Sequence, residues 1–287
     1  MWYVWMVRDR MSFDAVRQNP SEYLQKRGLN LTGVFVTLLV LNIVGSETAV
    51  FYGALEYALW GYLVTLVLCV LGPLLVGRDA GLFQALALVP VFRLVNLGMP
   101  VFFETTLYWL PLIYGPFIPA GYLVATSRPE TDLSIGGLRA LLVAPIVLPL
   151  SAGLGVVEYS LLDPVPLVAE WSVGNLLLIG IVMFGFVAVV EELLYRGIIQ
   201  RAFEYRFGRG IGIVVASVLF GFMHSGYGVP QEILFATGIG VFFGLVYEYT
   251  RSLVLVVLMH GTLNLFLFAV VPYHQWLVEY VYQYIPV

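Results

Sequence analysis

The sequence predicts an all-α protein, a polytopic transmembrane helical bundle of about eight to nine spans. Hydrophobic residues make up 60% of the 287 residues and charged residues 11%, against roughly a quarter charged in a typical soluble domain. The mean hydropathy of +0.91 agrees with this composition. The alternating pattern of membrane β-strands is absent from the sequence, so α-helices are the expected spanning elements.

Apolar stretches bounded by glycine, proline and charged residues divide the chain into candidate spans. We place them at residues 29–46, 54–76, 82–99, 105–126, 139–157, 172–203, 211–224, 231–249 and 252–271. This division predicts a cytoplasmic N-terminal segment over 1–28, N-terminal transmembrane helices over 29–157, and a C-terminal transmembrane core over 172–272. The single cysteine, Cys69, excludes an intrachain disulfide and a cysteine-based zinc site.

The basic residues orient these spans. With the N-terminus in the cytoplasm, every Lys and Arg except Arg93 falls in a tail, turn or helix end on the cytoplasmic side. The opposite loops carry acidic residues instead: Glu47, Glu104, Glu158, Asp163 and Glu170. The positive-inside rule therefore predicts an integral, multi-pass protein of the cell membrane with a cytoplasmic N-terminus. Arg93 is expected to snorkel or to pair with an acid such as Glu56 or Glu104.

Four polar residues lie in the apolar C-terminal spans, where an ionisable group is costly unless it pairs, contacts water or does chemistry. They are Glu191, His224, His260 and Asn264. At about 1.5 Å per residue, all four come to a similar depth, roughly 12 to 20 Å from the cytoplasmic ends of their helices. A carboxylate, two imidazoles and an amide at one depth are the groups that a water-activating hydrolase uses.

The local spacing separates the roles of two adjacent acids. Glu192 and Arg196 are four residues apart on a helix, which suits an intrahelical ion pair. Glu191 is turned about 100° away from Glu192 and is therefore free to point into a cavity. His260 and Asn264 share one helical face by the same four-residue spacing, as do Phe220 and His224.

At these residues the sequence resembles the CAAX-protease and bacteriocin-processing (CPBP) family of intramembrane proteases. The resemblance covers about residues 172–272. The family pattern Glu-Glu-x-x-x-Arg is present as Glu191-Glu192-Leu-Leu-Tyr-Arg196, Phe-x-x-x-His as Phe220-Gly-Phe-Met-His224, and His-x-x-x-Asn as His260-Gly-Thr-Leu-Asn264. Each pattern alone is weak, but all three in family order within apolar helices are specific.

The resemblance implies an intramembrane endopeptidase that acts on a peptide or lipid-modified protein within the lipid bilayer, with no role for nucleic acid. Glu191 would be the general base on a water that His224 helps to hold, and His260 and Asn264 would form the oxyanion hole. Glu192, Arg196 and Phe220 would support them. A mechanism without a cofactor is favoured. Zinc is possible, and its ligands would be Glu191, His224 and His260.

Two other functions stay open from the sequence. The carboxylate and imidazoles could form the relay of a proton-coupled transporter, although no inverted repeat is visible. The chain could also be a catalytically silent member of the fold that acts as a membrane scaffold or immunity protein, because intact motifs do not prove turnover.

Overall fold

The computed structural model describes residues 31–76, 80–98, 106–127, 130–131, 133–134 and 136–284. Within these ranges the regular structure is helical, and nine helical segments are long and apolar enough to cross a membrane. The predicted all-α, multi-pass fold is therefore confirmed. The predicted cytoplasmic segment over 1–28 lies outside the described residues.

The helices follow the predicted spans closely. In chain order they are α1 (Leu31–Phe51), α2 (Leu55–Val76), α3 (Ala80–Gly98), α4 (Thr106–Tyr114), α5 (Phe117–Thr126), α6 (Leu138–Leu162), α7 (Val173–Phe207), α8 (Arg209–Phe222), α9 (Pro230–Thr250), α10 (Leu253–Leu265) and α11 (Trp276–Tyr284). A 3₁₀ turn, Met223–Tyr227, follows α8, and irregular helical turns extend α10 to Tyr273.

Two helices run further than the sequence predicts. The first and fifth spans were expected to end before Glu47 and Glu158, which were assigned to loops. That expectation is wrong, because α1 continues to Phe51 and α6 to Leu162, so both acids lie inside helices. Both are also buried. A charged residue ended the predicted span at each place, whereas in the folded bundle a distant residue, Arg93, pairs with Glu47.

Close packing of α8 against α9 depends on glycine. A Cβ added at Gly221 of α8 would lie 2.7 Å from the carbonyl oxygen of Ile233 and 2.8 Å from the amide nitrogen of Thr237, both on α9. A Cβ at Gly240 of α9 would lie 2.9 Å from the Cα of Ser217 on α8. These short approaches are the small-residue contacts that hold membrane helices together. They fix the distance between α9 and α8, the helix that leads into the turn with His224.

The fourth predicted span is one apolar stretch made of two helices. α4 ends at Tyr114 and α5 begins at Phe117, with Gly115 and Pro116 between them. Proline has no backbone N–H to donate and its ring clashes with the preceding turn, which explains the interruption. The break leaves Tyr114 at a helix end that faces α7.

Candidate active site

Glu191 and Glu192 lie near the middle of α7, where the helix is irregular. They belong to a short α-helical stretch, Val189–Glu192, between two π-helical segments, Met183–Ala188 and Leu193–Gln200. A π turn holds more residues than an α turn, so it changes the direction of the side chains on either side of it. Such segments occur often at functional sites.

Glu192 is the centre of a buried ion-pair network. Its Oε1 accepts a hydrogen bond from Arg196 Nη1 at 3.0 Å and lies 2.7 Å from His260 Nδ1. Arg196 Nη2 also donates to the carbonyl of Gly240 at 3.3 Å. The predicted ion pair between Glu192 and Arg196 is therefore confirmed. Because a carboxylate paired with a guanidinium only accepts hydrogen bonds, Nδ1 of His260 carries a proton.

Glu191 has different partners from its neighbour. Tyr114 donates a hydrogen bond from its hydroxyl to Oε1 of Glu191 at 2.7 Å. The other oxygen, Oε2, lies 3.8 Å from Nε2 of His260. The Glu191 side chain keeps 13% of its surface exposed, whereas that of Glu192 is fully buried. The predicted contrast between the two acids holds in part: Glu192 is enclosed by Arg196 and His260, and Glu191 keeps more of its surface exposed.

Phe220 is the common neighbour of the charged and imidazole groups. Its ring packs edge-on against the rings of His224 and His260, with centroids 5.0 and 5.8 Å away. The guanidinium of Arg196 lies 4.6 Å from the same centroid. The carbonyl of Phe220 is also 3.0 Å from Nδ1 of His224. Phe220 thus contacts both imidazoles, one of them in its own Phe-x-x-x-His motif.

A small cavity, about large enough for one water molecule, lies beside this cluster. It is lined by Glu158, Phe220, His224, Ala236, Ile239, His260, Leu263 and Asn264. Three of the four polar residues singled out in the sequence therefore meet at one cavity. Glu191 is not among its lining residues and contacts the cavity residue His260 instead. The carboxylate at the cavity wall is Glu158.

Arg93 connects the N-terminal helices to the same region. Its Nε and Nη2 donate to the two carboxylate oxygens of Glu47 at 2.7 and 2.6 Å. Ser225, the neighbour of His224 in the chain, donates to Oε2 of Glu47 at 2.7 Å. Arg93 was expected to pair with an acid, and its partner is Glu47 rather than Glu56, while Glu104 lies outside the described residues. The pair anchors the 3₁₀ turn that carries His224.

The sequence missed Tyr114, Glu158 and Glu232 as residues of this region. Tyr114 was one aromatic among many, and only the break between α4 and α5 places it against α7. Glu158 and Glu232 were placed at span boundaries, where acids are ordinary. The sequence does contain one usable signal. Glu158 and Glu232 each adjoin a long apolar stretch, and each stretch is next in the chain to a helix that carries a family motif.

Comparison with known protein families gives one match. Residues 173–266 match the family described as type II CAAX prenyl endopeptidase Rce1-like. The match covers α7 to α10 and contains all three sequence motifs, so the resemblance to CAAX proteases is confirmed for this part of the chain. Neither a curated protein nor a solved structure matches the chain.

Proposed function

We propose, because residues 173–266 match the type II CAAX prenyl endopeptidase Rce1-like family, that this multi-pass membrane protein is an intramembrane endopeptidase. Its substrate would be a peptide segment of a lipid-modified or membrane-tethered protein. The observation that carries the proposal is that the His260 ring has one glutamate at each of its two nitrogens. Glu192 and Arg196 hold its Nδ1 side, while Glu191 lies on its Nε2 side.

The proposed reaction begins with a water between Glu191 and His224. The Glu191 carboxylate accepts a proton as the water oxygen bonds to the scissile carbonyl carbon, and the carbonyl electron pair moves onto its oxygen. Collapse of this intermediate breaks the C–N bond, and the proton on Glu191 passes to the departing amine. Positioned acid–base groups of this kind contribute about 10² to 10⁴ in rate.

The oxyanion needs hydrogen-bond donors at the cavity. The amide of Asn264 supplies N–H groups without any change of charge. His260 can donate from Nε2 only as the doubly protonated imidazolium, because its Nδ1 proton is directed at Glu192. The carboxylate of Glu192 is placed to stabilise that cation, as the buried acid does for the histidine of a catalytic triad. This role gives Glu192 a catalytic reason to lie beside the general base.

The orientation in the membrane is also part of the proposal. Every Lys and Arg except Arg93 falls on one side of the predicted spans, so the N-terminus would be cytoplasmic in the cell membrane. If the substrate is a prenylated protein, its cysteine-linked prenyl group and the peptide after that cysteine would then enter the site from the cytoplasmic leaflet.

The proposal is tested with detergent-purified protein and a fluorogenic prenylated Cys-a-a-X peptide. We expect wild type to cleave the peptide and Glu191→Gln to lose about a hundredfold or more in rate. Glu56→Gln is the matched control, because Glu56 is an exposed acid on α2. Near-normal cleavage by purified, folded Glu191→Gln would contradict the assignment of the general base.

A second substrate decides what a negative result means. If wild type leaves the prenylated peptide intact, the same assay is run with an unprenylated membrane-tethered peptide. Cleavage of the second peptide alone would keep the peptidase and change its substrate class. Cleavage of neither, by protein with a cooperative thermal transition, would contradict the proposed function and favour the silent scaffold.

A further inference from the structure

Three ionisable side chains meet next to the cavity, and the three sequence motifs account for only one of them. Glu158 comes from the end of α6, His224 from the 3₁₀ turn after α8, and Glu232 from the first turn of α9. One potential ligand atom from each lies within 4.8 Å of the other two. Within the described ranges, this is the single group of three or more His, Cys, Asp or Glu side chains gathered so closely.

Glu232, one of the two carboxylates of this cluster, lacks the hydrogen-bond partners that burial normally requires. Glu232 is fully buried, and neither of its oxygens has a hydrogen-bond partner among the described residues. Glu158 keeps 6% of its surface exposed. Over the part of the chain that the structure describes, neither acid forms an ion pair with an arginine. Two buried acids facing each other need a cation or a shared proton between them.

His224 has one ring nitrogen available to the cluster. Its Nδ1 lies 3.0 Å from the carbonyl of Phe220, so Nδ1 is the protonated nitrogen and Nε2 keeps its lone pair. A metal-bound histidine usually donates its other N–H to a backbone carbonyl or a carboxylate in this way, which fixes the tautomer and the ring orientation.

We infer that Glu158, His224 and Glu232 form a binding site for one divalent transition-metal ion, with zinc the best match. One imidazole and two carboxylates suit zinc, and three protein ligands leave a fourth position for water. Ligand atoms that share a zinc ion at about 2.1 Å lie roughly 3.4 Å apart, so side-chain movements of about an ångström would close the site.

The ion would take over the role proposed for His224 in holding the water, because Nε2 of His224 cannot bind the ion and accept a hydrogen bond from the water at the same time. Glu191, His260 and Asn264 would keep the roles described above. Glu158 and His224 also line the cavity that His260 and Asn264 line, so a water on the ion would lie at the wall of the proposed hydrolytic site. This ligand set differs from Glu191, His224 and His260, the set that the family resemblance implies. It also departs from the cofactor-free mechanism that the sequence favours.

The test measures bound metal, so it does not depend on peptidase activity. Purified wild type is stripped with chelator, incubated with ZnCl₂, passed through a desalting column and analysed by plasma mass spectrometry. We expect about one zinc per chain for wild type. Glu232→Gln and Glu158→Gln should each retain less than a tenth of that amount, because each loses one of three ligands. Cobalt(II) gives a second readout, since four-coordinate cobalt absorbs visible light strongly.

Glu248→Gln is the matched control. Glu248 lies on α9 with Glu232 but near the opposite end, where it pairs with Arg209 at 2.9 Å and with Arg251. This variant should bind zinc as wild type does. Equal zinc in wild type and Glu232→Gln would identify an adventitious ion only and overturn the inference.

Thermal stability distinguishes zinc binding from the remaining alternative, in which the carboxyl groups of Glu158 and Glu232 share a proton. If zinc binds, the melting temperature of wild type rises when zinc is added, and that of Glu232→Gln does not change. If the acids only share a proton, zinc shifts neither protein, and the inference is overturned. Peptide cleavage by a zinc-free chain would leave the proposed function intact, whereas zinc binding without cleavage would leave this inference intact.

Discussion

The N-terminal helices α1 to α5 and the C-terminal helices α7 to α10 contribute to the site in different ways. The C-terminal helices supply the groups that could react, including Glu191, His224 and His260. The N-terminal helices supply groups that hold them: Tyr114 binds Glu191, and Glu47 holds Ser225 beside His224. The family match covers only the reacting part. Helices that carry no family motif therefore supply contacts to the residues of the motifs and to their neighbours in the chain.

The largest expected effect on stability is at Glu192. Replacing it with Gln leaves Arg196 buried without a carboxylate, and losing one partner of a buried pair costs about 3 to 5 kcal/mol. We expect the free energy of unfolding in mixed detergent micelles to fall by that amount. A folded Glu192→Gln protein of wild-type stability would show that Arg196 is satisfied by other groups. Glu56→Gln, at an exposed acid, should have no such effect.

Glu47→Gln likewise replaces a buried glutamate by its amide, but in the N-terminal helices. It removes the charge that Arg93 pairs with and weakens the acceptor for Ser225. We expect a lower melting temperature, with a loss of about 3 kcal/mol. Cleavage per folded molecule should fall by about tenfold or less, because the turn that carries His224 loses one anchor. A loss of cleavage as large as that of Glu191→Gln, at unchanged stability, would contradict a supporting role.

Gly221→Ala tests the spacing of α8 and α9. The new Cβ would lie 2.7 Å from the Ile233 carbonyl oxygen, so the helices must separate. Overpacking of this kind costs about 1 to 3 kcal/mol, measured as reduced stability. Gly238→Ala is the control, since a Cβ at that position in α9 meets no atom within 4 Å. Equal stability of the two variants would refute the close approach.

Tyr114→Phe should have the smallest effect on stability and should act on the rate instead. It removes one hydrogen bond to Glu191, worth about 1.5 to 3 kcal/mol when the acceptor is charged. We expect kcat to fall by roughly ten- to hundredfold with KM little changed, because the hydroxyl orients the base and does not bind the peptide. Tyr122→Phe, at an exposed tyrosine on α5, is the control. A change in KM alone would place Tyr114 in substrate binding instead.

Much of this molecule could be predicted from its sequence because the bilayer limits the choices. Apolar stretches must become helices in lipid, so the spans were placed within a few residues of the observed ones. The four-residue spacing of Glu192 and Arg196 also predicted their ion pair, which forms even though the helix is irregular at this point.

Other features depend on packing that no local pattern encodes. The ends of α1 and α6 were misplaced at Glu47 and Glu158, because burial of a charge is decided by neighbours from distant segments. The approach of Glu232 to Glu158 joins residues of different helices, and no spacing predicts it. The π-helical segments on either side of Val189–Glu192 likewise have no signal in the local spacing of residues.

One experiment that compares Glu191→Gln with Glu47→Gln tests most directly whether the C-terminal helices react and the N-terminal helices support them. Cleavage of the prenylated peptide is measured per folded molecule, and the melting temperature is measured on the same samples. We expect Glu191→Gln to lose about a hundredfold or more in rate at nearly wild-type stability. Glu47→Gln should lose stability and lose no more than about tenfold in rate per folded molecule. The reverse result, an active Glu191→Gln or a stable but inactive Glu47→Gln, would contradict the division between reacting and supporting helices.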